Sequence, residues 1–581
     1  MSFAASRGRI LYNQTPDSAM KSFILYILIA VTSAMLCTGC SSPASPLPTP
    51  NEPVSDLNVD MLGIKVAAGE RREYSFTDKN SSFWYGQTHT NDWQSQHAGW
   101  SVGQTRLLRD YSIMTDDTPM SRTSADVTVY PYKIARTFDN GTHEEFYMFD
   151  NIEALLIKID NITGDSIGII LSPDFLSQGK DTSNGIEFRT TENHDGVVTL
   201  YPFNGKSYSW DGTTMKAPTT AGGFLITYRN GLDSQQFTPA QFRDIWPKLL
   251  QERVTRMNDL IQYYNPLKSN LDSLDLAMAW ISITSEEAIT YQKNYDRLHY
   301  MLQDMTGMML CTGQFAMAKS MLWEYARLSQ SGQQLPHGTA GYFVSDVMDY
   351  LNYTADTEFL ATIYPAIATA VNSILDSVAS TSVVNSTITQ ALNDATKMAL
   401  IMRNRNDFMH WSNASIKIDH TATLTTPSCQ LYETWPQFHT LNKNVLSKGP
   451  IGTLQNDNAK HLLTWHHDFL GIKPRLIDET IDISPAIPEA IDSLRYSQLL
   501  AHGRLEGAFE RGDSYSIYAY RFINFSANAT FAIDGYKPTS VKVTPGMSVE
   551  LLTQNERLQV TIKNDNGTRL NRYYTDAIQP D

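Results

Sequence analysis

The sequence predicts a multidomain chain of α and β structure, in the order β-sandwich, helical hairpins, small β domain. Three observations predict it. Short β-branched and aromatic runs dominate up to about residue 235, apolar residues then recur at helical spacing to about residue 470, and strict alternation returns from Tyr515 onward.

The chain opens on an export signal. Met20-Lys21 precedes an apolar run from Phe23 to Leu36, and Cys37-Thr38-Gly39-Cys40-Ser41-Ser42 follows. The run is shorter than the roughly 20 residues a spanning helix needs, so it reads as cleaved. Cys40 is then the lipid-modified first residue of a bacterial lipoprotein, held at the cell envelope, facing the outer membrane or periplasm, through its acyl chains. Cys37 stands where such signals usually carry Leu, and a retained anchor or a plain cleavable signal is the other reading. Met20 opens the signal so cleanly that residues 1–19 read as an upstream misassigned start, which makes 1–40 the leader. Residues 41–54 form a tether: the prolines at 43, 46, 48, 50 and 53 bar helix and central strand and hold the body off the lipid surface.

The formal net charge is −15 at pH 7. Loss of residues 1–39 would remove Arg7, Arg9 and Lys21 against Asp17 alone, leaving the chain still more acidic. That balance excludes nucleic acid as a partner. Beyond the signal, Cys311 and Cys429 read as buried free thiols rather than a bridge. His461, His466, His467 and Asp468 share one helical stretch but lack the i, i+4 histidine pair of helical zinc motifs. They read as a polar face near a domain border, and neither metal nor cofactor is expected.

Residues 55–237 carry the sandwich, with runs such as Asp126–Tyr130, Ala154–Ile159, Gly168–Leu171 and Gly223–Tyr228 separated by Gly, Asn and Asp turns. The segment from Phe83 to Trp93 is aromatic and polar at once, which suits stacking on sugar rings through Trp84 and Trp93; inter-sheet core and a long turn is the other reading. Residues 238–268 begin at Thr238-Pro239 and place Phe242, Ile245, Leu249, Leu250, Val254, Met257, Leu260 and Ile261 at spacings of three and four, a linker helix. Helical segments follow over 271–291, 300–328, 341–353, 356–377 and 385–403, and further around 406–416, 435–446 and 456–470. Their short connections imply antiparallel hairpins, covering 269–480. Residues 481–581 form the end domain, with runs at 516–520, 529–533, 540–543 and 558–562.

Four stretches carry a resemblance. They are Gln303-Asp304 through Leu310 to Thr312-Gly313-Gln314-Phe315; Leu335-Pro336-His337-Gly338 with Asp346, Asp356 and Tyr364-Pro365; Tyr432-Glu433-Thr434-Trp435; and Phe469-Leu470-Gly471 with Ile483-Ser484-Pro485. In this order the chain resembles the six-hairpin glycosidases, in particular the glycogen-debranching or amylo-α-1,6-glucosidase-like group and its glucoamylase relatives. The resemblance implies an (α/α)6-type toroid, here a reduced one. It also implies hydrolysis of an α-linked glucan or related oligosaccharide by an inverting mechanism, in which one carboxylic acid protonates the leaving oxygen and a second carboxylate activates water.

The same resemblance assigns candidate roles. Glu433 would be the base, with Trp435 beside it to stack on a sugar, and Asp304 would bind sugar hydroxyls at the barrel floor. His337, Asp346 and Asp349 would line the mouth. Each has a structural reading as well: Glu433 as an acid at a helix start, the others as satisfied polar groups. The general acid is the open point, because the loop Ser377–Val384, where such enzymes carry it, has no carboxylate. Either Asp376, Glu324 or Asp349 supplies the proton, or the pair is incomplete and the protein is a non-catalytic glycan-binding lipoprotein.

Overall fold

The computed structural model describes residues 45–47, 52–90, 98–103, 105–183, 185–191, 195–205, 207–231, 237–287, 305–331, 338–381, 386–419, 461–500 and 503–578. Among these, the strands between Ile64 and Asn230 form two antiparallel sheets, one of nine strands and one of eight. The strand His143–Phe149 explains why both its faces are apolar. Phe146 points into the core shared with the other sheet, 4.9 Å from Trp84 and 5.9 Å from Tyr111. Tyr147 and Phe149 point the other way, onto Trp246 and Phe242 of helix α1 (Pro239–Asp259). The period of two thus serves two interfaces at once.

Helix α1 starts on a reciprocal capping box between Thr238 and Gln241, with Pro239 at its first position, where a missing N–H costs nothing. It runs on through a π turn, Leu260–Tyr264, into the short strand Leu267–Ser269, which pairs with Ser493–Leu500. The chain therefore touches the C-terminal sheet before it enters the helices. These are α2 (Asp272–Glu287), α3 (Thr306–Cys311), α4 (Phe315–Gln330), α5 (Thr339–Thr354), α6 (Thr357–Thr381), α7 (Ser386–Ile401) and α8 (Arg405–Asp419).

One expectation is corrected here. Residues 300–328 do not make one helix: the chain breaks at Thr312-Gly313. The Thr312 hydroxyl donates to the Met308 carbonyl at 2.7 Å, and Gly313 takes the left-handed conformation at φ +75 that glycine tolerates best. Helix α6 is long and apolar enough over Thr357–Ala379 to cross a membrane, but half of that stretch is buried in the body. Leu360, Ile363, Ile367 and Val371 sit in the core, so packing accounts for its composition.

The C-terminal strands form a seven-stranded antiparallel sheet and a four-stranded sheet whose pair Thr480–Ile483 and Ala527–Phe531 is parallel. One continuous core joins these sheets to the helices, with Met278, Leu322, Val347 and Leu392 in the same cluster as Phe509, Val549 and Leu558. Part of the tether is docked: Leu47 packs beside Ile517 and Leu552, and Val54 is buried.

The junction between the N-terminal strands, α1 and α2 is ionic. Lys79, fully buried, bonds Glu286 at 2.9 Å. Arg253 bonds Glu287 at 2.6 Å and also Asp150, while Arg256 bonds Asp150 at 2.7 Å and both glutamates. Burial alone would raise the Asp150 and Glu287 pKa values, but the two guanidinium charges hold both carboxyls below their usual range. Three cations against three carboxylates leave no net charge stranded in a low dielectric.

Candidate functional site

Helices α5 and α7 lie side by side. A Cβ on Gly341 would come within 3.2 Å of the Thr387 methyl, so the two are in contact at their first turns. Two turns further along both helices, Asp349 acts electrostatically on Asp394. The contact points advance together, so the helices run in the same direction, as alternate members of a string of antiparallel hairpins do.

Asp349 is exposed between buried Met348 and Tyr350. Water reaches its carboxyl, yet burial by the surrounding protein pushes the pKa up to about 6, with the Asn352 side chain opposing. The side chain's exposure to water screens the shift and weakens it without reversing its direction. Asp394 is half-buried. Burial, then the charge of Asp349, raise it to about 7. Gln390 Nε2 donates to Asp394 Oδ1 at 2.9 Å, and Ser345 sits beside it without completing a hydrogen bond. Both carboxyls thus stand above the usual carboxylate range, Asp349 through burial and Asp394 through burial and the charge of Asp349, and a raised carboxyl is what a general acid needs.

One turn beyond Asp349, the hydroxyl of Tyr353 lies 2.9 Å from His467 Nε2. His466 is buried, 3.0 Å from Asn265 Oδ1, and burial drops its pKa to about 3, so it is neutral. This fits the polar-border reading of the histidines, and the described residues hold no cluster that suits a metal.

The remaining candidates divide sharply. Glu433, Trp435, Asp304, His337, Trp93 and Cys40 lie outside the described residues. Trp84 corrects the stacking expectation: it is 1 % exposed, its ring packed on Phe146 and Tyr111 and its N–H donating to the Tyr74 hydroxyl at 3.3 Å, so it presents no face to a sugar. Asp346 is buried on α5. Asp376 is exposed on α6 and is not among the groups that shift Asp349 or Asp394. Glu324 is ion-paired with Arg327, one turn along α4, at 2.7 Å. Cys311 is buried and free, its thiol raised by burial.

Sequence reasoning missed Asp394. The signal was available in the polar set Gln390, Asn393, Asp394 and Lys397 on a helix otherwise rich in Ala, Leu and Met, but the same spacing describes any solvated helix face.

No protein-family model matches the chain, and no curated protein matches it. Among solved structures it is similar to a protein described as a kojibiose phosphorylase, from the human microbiome, at 10% identity and a TM-score of 0.48 over 87% of this chain and 100% of that one. It is also similar to an α-L-rhamnosidase from Dictyoglumus thermophilum, at 6% identity and a TM-score of 0.38 over 88% of this chain and 85% of that one. A Streptomyces avermitilis α-L-rhamnosidase complexed with L-rhamnose gives 9% and 0.37, over 85% of this chain and 69% of that one. All three are named for work on sugars, and at these identities and scores those names lend nothing to the chemistry of this chain.

Proposed function

We propose that the chain is a glycoside hydrolase of the cell envelope, lipid-anchored at Cys40, built as a β-sandwich, a reduced (α/α)6-type toroid and a C-terminal β domain. It hydrolyses an α-linked glucan or related oligosaccharide with inversion. Asp349 is the general acid that the sequence left open, Asp394 a neighbouring carboxyl that the Asp349 charge helps to keep protonated, and Glu433 the base. The observation that carries this reading is an exposed carboxyl whose pKa burial by its surroundings raises to about 6, and whose charge in turn helps to raise a second carboxyl, Asp394, on the neighbouring α7. Protonating the leaving oxygen while an ionised carboxylate activates water is work for two groups with opposite protonation states, usually about 6.5–9.5 Å apart. Glu433 enters on its sequence neighbours Tyr432 and Trp435 alone.

The second reading is a non-catalytic glycan-binding lipoprotein, favoured by the absence of any carboxylate in Ser377–Val384. Proton NMR of anomeric signals after incubation with α- and β-linked oligosaccharides separates the two. Release of inverted product by wild type, lost in Asp349→Asn, supports the hydrolase; line broadening of the sugar without release supports the binder.

A further inference from the structure

A cavity of about 770 Å³ opens between the outer side of α1 and the turn that joins α3 to α4. Neither Asp349 nor Asp394 lines it. Its volume falls within the range of small-molecule sites, which favour junctions between structural units.

One wall is a stripe at helical spacing on α1, Gln251, Thr255 and Asp259, and the other is the segment Gly313–Met317. That second wall is held in place. A Cβ on Gly313 would lie 2.6 Å from the Leu499 side chain, so the turn is pressed against the C-terminal sheet.

The chemistry of the lining selects against anionic ligands, because Glu252, Asp259 and Glu286 outnumber Lys248 and Arg256. Arg256 and Glu286 face the cavity but are bonded to each other within the buried junction, and Lys248 is paired with Glu252 at 3.6 Å. Both lining cations therefore already have carboxylate partners, and a phosphate or carboxylate ligand would compete with them. The remaining groups suit uncharged hydroxyls. Gln251 Nε2 donates to Thr255 Oγ1 at 3.1 Å and Gln314 Nε2 donates to Thr312 Oγ1 at 3.1 Å. Each amide thus spends one of its two N–H donors inside the protein and keeps the other, with its carbonyl oxygen, to donate and accept. Phe315 and Tyr264, both half-buried, add ring surface. Apolar ring faces rimmed by hydroxyls are the surface that such a mixed wall matches.

We infer that this cavity is a second carbohydrate site, taking a neutral oligosaccharide against Phe315 and Tyr264, an inference that rests on the sugar reading proposed above. The test is saturation-transfer NMR and titration of the full chain with maltotriose, cellotriose, xylotriose and mannotriose. Phe315→Ala is expected to weaken binding of the recognised sugar about tenfold, the order of an aromatic ring's buried surface. Gln251→Trp, at an exposed helix position where folding is not at stake, is expected to fill the cavity and abolish that binding, whereas Asp349→Asn retains it. Wild-type binding by both cavity variants would overturn the inference while leaving the sugar reading standing. Failure of the wild type to bind any of the four sugars would overturn both.

Discussion

Removing the Asp394 charge should stabilise the protein in alkaline solution and not in acid. A carboxyl whose folded pKa is raised keeps its proton longer in the native state than in the unfolded chain. Between the unfolded value near 3.8 and the folded value of about 7, the native state binds more protons, so stability falls as pH rises through that window and levels off above it. A rise of this size corresponds to about 4 kcal/mol, which solvent screening of the half-buried side chain cuts to roughly 1–2 kcal/mol. Asp394→Asn keeps the shape and the bond from Gln390 but carries no charge. Thermal melts across pH 4 to 9 should show the variant equal to wild type at pH 4 and more stable by about 1–2 kcal/mol at pH 8. Equal melts at pH 8, or a variant stabilised only in acid, would refute the claim that burial and Asp349 jointly hold a proton on this site.

Other consequences follow from the fold. Arg253→Met leaves Asp150 and Glu287 without one of their two guanidinium partners, and urea unfolding should show a loss of about 3–5 kcal/mol. Gly313→Ala places a Cβ against Leu499 in a left-handed turn, and the same assay should read a loss of about 1–3 kcal/mol. Cys311, buried with its thiol raised, should stay unmodified by iodoacetamide in the native protein and react in urea, as read by peptide mass spectrometry.

The secondary structure was legible wherever the apolar period is long. The strands around Ala154–Ile159 and Gly223–Tyr228, helix α1 with its Thr238 cap, and α5 to α8 all fall within a few residues of where periodicity puts them. The break at Thr312-Gly313 was not legible in the periodicity, because apolar residues on both sides keep the helical spacing and only the left-handed glycine ends the helix; the family resemblance alone put a turn at Thr312-Gly313-Gln314-Phe315. The strand Leu267–Ser269 was hidden for a different reason: three residues carry no period, and its partner lies more than 200 residues away. Nothing local in the sequence announces that Lys79 is buried against Glu286. At the site, the acidic residues of α5 were legible as candidates through Asp346 and Asp349. Their pairing with α7 was not, since the contact between Gly341 and Thr387 that sets the register belongs to tertiary packing.

The central claim is that Asp349 donates the proton in a two-carboxylate hydrolysis. The measurement that tests it most directly is anomeric proton NMR of an α-linked oligosaccharide incubated with wild type, Asp349→Asn and Glu433→Gln in parallel, with sugar binding followed by line width in each sample. The account predicts inverted product from wild type and a fall of at least about 10²-fold in both variants, with binding retained. Undiminished turnover by Asp349→Asn would contradict it, as would binding by wild type with no product at all.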